Sequence, residues 1–567
     1  MLILLLIVGL GRPSPTQAQA PTVFPHGVVA ADHPAASEAG AEILRLGGNV
    51  VDAAVATSFA LSVVRPASCG IGGGGFMVIW NADKQAAVAL DYRERAPAAA
   101  TGDMFADLAE TDQRESGSVR GGKACAIPGT VAGLCFAAKE YGSLPLKKLL
   151  QPAIRLARQG VLIDQHDMAV QSSTVPRFQK YPTYSKAFEL LWKQYLNNGV
   201  AWKSGDRFYS PQLAALQIIA DKGAAGFYEG EMATAIVAAS TAHNGILTLD
   251  DLAATTPIVR MALSDGYRGH QIHTMPPASS GGIALLQTLQ TLEFWEQRST
   301  TSLNSLKHNS TDYIHVVTEA MKHAFADRAE FLGDTDFVDV PVQKLISEEY
   351  AKRIAARIDL NKTLPSAAYG RFLANTDAGT SHFSVIDNQG NAVACTETIN
   401  LTFGSFVVVP EYGILLNNQI DDFAARPGEP NAFGLMQSEA NAIAAGKKPL
   451  SSMTPTIVVR DGKAVFASGA SGGPRIISAT IQTVLNHLVF DMTPEAAVTQ
   501  PRFHHQWFPN ELLLEPDLQS AVGEELEHRG HVVKRSRSLA AAQAAALSAT
   551  GPQGGSDPRK HGVPAGF

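Results

Sequence analysis

The sequence predicts an α/β (α+β) fold in which layered sheets are covered by helices on both sides. Three observations carry this reading. Helical patterns near the N-terminus lead directly into strands, a helix-rich block fills the middle, and from residue 380 the texture changes to hairpins followed by further helices. With 567 residues, 45% hydrophobic and 17% charged, the chain can bury a large core without help from disulfides or structural metals.

The chain opens with MLILLLIVGL, an apolar run too short to cross a bilayer, which takes ~20 residues. Small and polar residues follow and end in Ala18-Gln19-Ala20, the layout of a secretory signal over residues 1–20, cut after Ala18 or Ala20. Because no Lys or Arg precedes the run, an uncut anchor is the alternative. The mature protein is expected to be exported, periplasmic or secreted, with no later membrane span. Residues 33–64 then read as two helices broken at Gly47-Gly48. The run CGIGGGGFMVIW enters a strand, and with no Lys-Ser/Thr after it, it reads as a tight turn with close backbone packing rather than a phosphate loop.

Strands are expected at 75–81 and 86–92, joined by ADKQ. Residues 128 to about 330 carry helical patterns, such as LPLKKLLQPAIRLARQG with Gly160 as its C-cap. HFSVID and AVACTETI flank NQGN as one hairpin; TPTIVVR and KAVFASG flank Asp461-Gly462 as another. Helices start near Pro474 and Thr493, and AAAQAAALSATG verges on low complexity. No internal repeat occurs, and the change at 379/380 is one of texture rather than a linker between domains.

A formal charge of −7 with no Lys/Arg block excludes nucleic acid as a partner. Cys69, Cys125, Cys135 and Cys395 are scattered without metal or redox spacing and read as buried free thiols.

Two nucleophiles compete. Gly469-Ala470-Ser471-Gly472-Gly473 fits the G-x-S-x-G elbow of a serine esterase, with His504, His505, His528 or His531 available for a triad. That elbow belongs in a parallel sheet, whereas its neighbours here read as an antiparallel hairpin. Thr380, after Gly379, is the second candidate. A threonine hydroxyl needs a base, and a chain-terminal α-amine with pKa ~7.7–8 supplies one if the 379–380 bond is cut. Gly379 lacks a Cβ, which suits a strained scissile bond.

Longer motifs resolve the choice. GTSHFSVIDNQGNAVACTETINLTFGS, GILLNNQIDDFAARPGEPNAFGL, KPLSSMTPTIVV, SGGPRII and QPRFHHQW follow LDYRERAP, IPGTVAGL and ADRAEFLGDTDFVDVPV in an order that resembles the γ-glutamyltransferase (γ-glutamyl transpeptidase) family, from about residue 24 to the C-terminus. The resemblance implies a four-layer αββα sandwich of the N-terminal-nucleophile hydrolase type, built jointly by a large chain, residues 21–379, and a small chain, 380–567, that remain a heterodimer after self-cleavage. It implies γ-glutamyl compounds such as glutathione as donors, amino acids or dipeptides as acceptors, and no metal or organic cofactor.

Site residues carry over motif by motif. Thr380 is implied as nucleophile, Thr398 as its hydrogen-bonding partner, and Gly472 and Gly473 as the oxyanion hole, which leaves Ser471 a bystander and His504 and His505 packing residues. Arg93, Ser451 and Ser452 are implied to bind the substrate carboxylate; Asp422, with Asn400 and Gln419, its amine. On the residues alone, Arg93 reads first as a strand-end surface ion pair, Arg95 is an equal candidate, and the Asn/Asp-rich loop reads as a turn or, less well, a calcium loop. Phe433 stands where a tyrosine is often found in the family's lid, and Glu397 receives no role. A cephalosporin (glutaryl) acylase of the same fold is the alternative activity.

Overall fold

The computed structural model describes residues 21–105, 117–370, 380–424 and 438–567. The expected signal segment, Gly379 and Phe433 lie outside the described residues.

Two antiparallel sheets form the centre. The first runs, edge to edge, Ala565–Gly566, Gly27–Ala31, Ser381–Asp387, Ala392–Thr398, Gly74–Asn81, Ala86–Tyr92 and Ile258–Met261. The second runs Gly551–Ser556, Ala541–Ser548, Lys463–Ser471, Thr456–Arg460, His270–Thr274 and Leu263–Tyr267. Residue 380 does not divide them into modules, since each sheet takes strands from both sides of it.

Period-two alternation assigns the faces of the first sheet. Val29, Phe383, Val385, Val393 and Cys395 join a core shared with the helices Pro34–Arg45 and Val50–Val64. Val28, Ile386, Ala392 and Ala394 face the other way, joining Ile457, Val458, Phe466 and Ala544 of the second sheet. That second core continues to the helices Gly281–Ser299, Thr311–Phe331 and Arg475–Leu488. The layers are therefore helix, sheet, sheet, helix.

Hairpin turns match the sequence: Asp461 and Gly462 both have positive φ, 49° and 75°, as the tight type I′ turn requires. Three strands between 258 and 274 lie inside the block read as helical, and AAQAAALS, Ala541–Ser548, is a strand buried over its first six residues rather than a low-complexity tail. All four cysteines are free, and Cys135 is only partly buried. Among the described residues, no helix is long and apolar enough to cross a membrane.

Candidate active site

Thr380 stands at the head of the strand Ser381–Asp387, in the middle of the first sheet. Its hydroxyl donates to Oγ1 of Thr398, 3.3 Å away on the adjoining strand. Thr398 Oγ1 also accepts the backbone N–H of Asn400 at 2.8 Å, so the chain bend after Thr398 fixes the hydroxyl that meets Thr380. Asn400 makes that bend with φ 74°, tolerable because its side chain bonds the carbonyl of Asn418 at 2.9 Å. The glycine-rich run lies beneath: a Cβ on Gly73 would sit 2.1 Å from the Thr398 carbonyl oxygen, and one on Gly72 2.1 Å from that of Leu415. No larger residue allows these backbones to close.

His382 is wholly buried between the sheets. Its ring nitrogens meet Thr396 Oγ1 at 2.8 Å and Ser384 Oγ at 3.1 Å, and burial pushes its pKa down to about 3. It packs as a neutral ring and does not serve as a base at neutral pH.

Opposite the threonines, Arg93 and Asp422 form an ion pair, Nη2 to Oδ2 at 2.6 Å. Asp422 closes the short turn Gln419–Asp422, and Gln419 donates to the same carboxylate oxygen at 2.5 Å. Burial raises the Asp422 pKa, and Arg93 opposes the rise. Arg93 also donates to the Pro449 carbonyl at 3.3 Å, which ties it to the segment carrying Ser451 and Ser452. Arg95, by contrast, donates outward to the carbonyl of Ala254 at 3.1 Å. It is not part of the site.

Ser451, Ser452, Asn400 and Gly473 join Thr380, Thr398, Arg93, Gln419 and Asp422 around one cavity of about 30 Å³. Gly472 lies one residue from that lining; it and Gly473 turn the chain from the strand Lys463–Ser471 into the helix Arg475–Leu488 with φ 137° and 57°. Nine carried-over residues thus converge from segments up to 380 residues apart in sequence (93 to 473).

Arg328 also lines the cavity, and sequence reasoning missed it. It is fully buried on the helix Thr311–Phe331, donates from Nε to Ser280 Oγ at 3.0 Å, and has its pKa pushed down to about 10 by burial. Ser280 donates in turn to the Ser451 carbonyl at 2.6 Å. Glu94, also missed, sits behind Arg93 at 3.4 Å with its carboxyl raised to about 7 by burial. The quoted motifs LDYRERAP and ADRAEFLGD contained both residues, but nothing in them marks a buried charge.

The serine elbow does not assemble. Ser471 ends an antiparallel strand, and its hydroxyl donates to the Ala541 carbonyl at 3.3 Å. His504 instead pairs with Ser478 and Gln506, and His531 with His315. His315, Glu319 and His531 lie close enough to consider a metal, but the two rings already share a 2.7 Å hydrogen bond and Lys322 supplies the cation at Glu319, 2.9 Å away. A divalent ion would meet that ammonium.

Stacked antiparallel sheets between helical layers, with a threonine heading a central strand beside a buried charge pair, define an N-terminal-nucleophile hydrolase. The family model described as Gamma-glutamyltranspeptidase matches residues 36–567, and the chain belongs to that family. It is 41% identical over 541 residues to the glutathione hydrolase proenzyme of Escherichia coli (strain K12), covering 94% of this chain and 90% of the relative. The glutathione hydrolase proenzyme of Pseudomonas sp. (strain A14) is 39% identical over 512 residues, covering 89% and 87%. Among solved structures, a cephalosporin acylase from Bacillus halodurans aligns with TM-score 0.84 at 27% identity over 99% of both chains. The Helicobacter pylori gamma-glutamyltranspeptidase aligns with TM-score 0.54 at 38% identity, over 62% of this chain and 96% of that one.

Proposed function

We propose that the chain cleaves the γ-glutamyl bond of glutathione and related γ-glutamyl compounds and passes the γ-glutamyl group to water or to the amine of an amino acid or dipeptide. The observation that carries this reading is the cavity where the Thr380–Thr398 hydroxyl pair faces the buried Arg93–Asp422 ion pair, with the buried Arg328 guanidinium in the same lining. A γ-glutamyl donor is the ligand class that offers both an α-carboxylate and an α-ammonium beside a reactive carbonyl.

The protein is made as one precursor. Thr380 Oγ1 attacks the Gly379 carbonyl, the peptide nitrogen leaves as the Thr380 amine, and water opens the resulting ester to give chains 21–379 and 380–567. The strands that each contributes to both sheets keep them together. The freed α-amine then accepts the Thr380 hydroxyl proton as Oγ1 attacks the donor's γ-carbonyl. The N–H groups of Gly472 and Gly473 receive the oxyanion. Collapse returns the proton to the leaving amine and leaves a γ-glutamyl ester on Thr380, which water or an acceptor amine attacks by the reverse path. Thr398 orients the nucleophile throughout.

Arg93, Ser451 and Ser452 take the α-carboxylate, with Arg328 behind them; Asp422, Asn400 and Gln419 take the α-ammonium. In the free protein Arg93 and Asp422 neutralise each other. A cavity of about 30 Å³ holds little more than a couple of waters, so donor entry separates the pair. The donor then returns a carboxylate to Arg93 and an ammonium to Asp422. A glutaryl group returns only the first, which is why the acylase reading ranks second despite the Bacillus halodurans structure. The N-terminal 20 residues fit export to the periplasm or medium, and the chemistry calls for no metal or organic cofactor.

Thr380→Ala is expected to abolish both precursor cleavage and release of p-nitroaniline from γ-glutamyl-p-nitroanilide, while Ser471→Ala retains both. Activity that survives the first change and disappears with the second would move the nucleophile to Ser471.

A further inference from the structure

The carbonyl of Thr380 lies just outside the sheet ladder. Pairing with Gly27–Ala31 ends at Phe383, and pairing with Ala392–Thr398 ends at Ser381. A buried carbonyl there needs a donor from elsewhere. The ammonium of Lys560 supplies it at 2.5 Å. The same ammonium pairs with Asp32 Oδ2 at 2.8 Å, and the wholly buried Asp32 is held on its other oxygen by Gln543 Nε2 at 2.7 Å.

Lys560 is itself fixed. It ends the short turn Pro558–Lys560, which follows the last strand of the second sheet, and its carbonyl accepts Arg65 Nη2 at 2.9 Å. Arg65 is almost fully buried and is paired with Asp164 at 2.5 Å and Asp167 at 2.8 Å. The preceding Asp557 is bound by Arg502 at 2.7 Å and by Arg559 at 3.0 Å. So much buried charge around one turn leaves the lysine little freedom to leave the Thr380 carbonyl. Lys560 is absent from the lining of the substrate cavity.

We infer that Lys560 is a positioning residue for the nucleophile. Its ammonium, held by Asp32, fixes the Thr380 carbonyl, and through the shared Cα it sets the direction of the Thr380 hydroxyl toward Thr398 and of the α-nitrogen that becomes the base. The inference rests on the reading of Thr380 as nucleophile. It adds that the C-terminal turn aims that nucleophile without touching the donor. A group acting this way changes the rate of acylation and leaves donor binding alone, because a misaimed nucleophile loses near-attack geometry without altering the pocket.

The test uses the full-length protein carrying Lys560→Met or Lys560→Arg. Precursor cleavage is followed by intact mass, and kcat and KM are measured with γ-glutamyl-p-nitroanilide. Lys560→Met is expected to slow cleavage and lower kcat at least tenfold with KM within twofold of wild type. Lys560→Arg, which keeps a cationic donor, recovers at least part of kcat. A kcat within twofold of wild type in the Met variant overturns the inference, as does an Arg variant no better than Met with kcat and KM disturbed together. Should Lys560→Met fail to mature, Asp32→Asn loosens the clamp and keeps the lysine: lowered kcat at unchanged KM supports the inference, and unchanged kcat overturns it. Thr380→Ala run alongside separates the two claims, since activity in that variant would sink the nucleophile reading whatever Lys560 does.

Discussion

Asp422→Asn isolates the contact that separates a γ-glutamyl enzyme from a glutaryl acylase. In the free protein the change leaves Arg93 without its 2.6 Å partner and with Glu94 at 3.4 Å as the remaining carboxylate beside it. That reorganisation affects every substrate. The contact to the donor's α-ammonium affects only substrates that carry one. A charge-assisted hydrogen bond of this kind contributes ~1.5–3 kcal/mol, and replacing carboxylate by amide removes most of it. At about 1.4 kcal/mol per factor of ten, kcat/KM for γ-glutamyl-p-nitroanilide is expected to fall roughly 10- to 150-fold relative to glutaryl-p-nitroanilide. The ratio between the two anilides cancels the shared term, so it reads the amine contact alone. Both are followed by p-nitroaniline release on mature enzyme at one pH. An unchanged ratio refutes the assignment of Asp422 to the amine, even if both activities drop.

Gly469→Ala places a Cβ 2.4 Å from Cε1 of His382, a ring already fixed by Thr396 and Ser384 between the sheets. Overpacking of this sort costs about 1–3 kcal/mol, so calorimetry is expected to show a Tm lower by a few degrees; an unaltered Tm would mean that the sheets yield. Glu397, buried and bonded by Ser58 at 2.5 Å and Tyr92 at 3.0 Å, has its carboxyl raised from 4.5 to about 7 by burial. A raised folded value means that the native state keeps the proton after the unfolded chain has lost it, so this contribution is full below pH 4.5 and is lost as pH rises through 7. The interval corresponds to about 3 kcal/mol. Glu397→Gln is therefore expected to shrink the fall in Tm between pH 5 and pH 8, with Glu94 retaining part of it; an identical fall in both proteins contradicts the reading.

The hairpins were legible because turn chemistry marks them: Asp461-Gly462 needs two positive φ values, and few other pairs supply them. The glycine run before Gly74 was legible as close packing for a similar reason, since a Cβ at either Gly72 or Gly73 would strike a backbone oxygen. Ala541–Ser548 was not legible. It is pressed between neighbouring strands and the opposite sheet, where alanine fits and the β-branched signature of a strand does not. The short strands between 258 and 274 alternate polar and apolar residues near a sheet edge, too briefly to stand out from the helices around them. In the site, the motifs named the residues around the cavity but not their support. Arg328 lines the cavity and is tied to Ser451 through Ser280, and Lys560 reaches Thr380 from across the sequence, contacts that only the folded layers create.

The most direct test of the central claim is intact mass with N-terminal sequencing of the purified protein. Two associated chains are expected, the smaller beginning Thr-Ser-His-Phe at Thr380. An uncut chain that turns over γ-glutamyl-p-nitroanilide at full rate would contradict the claim, because Thr380 would then have no free amine to serve as its base.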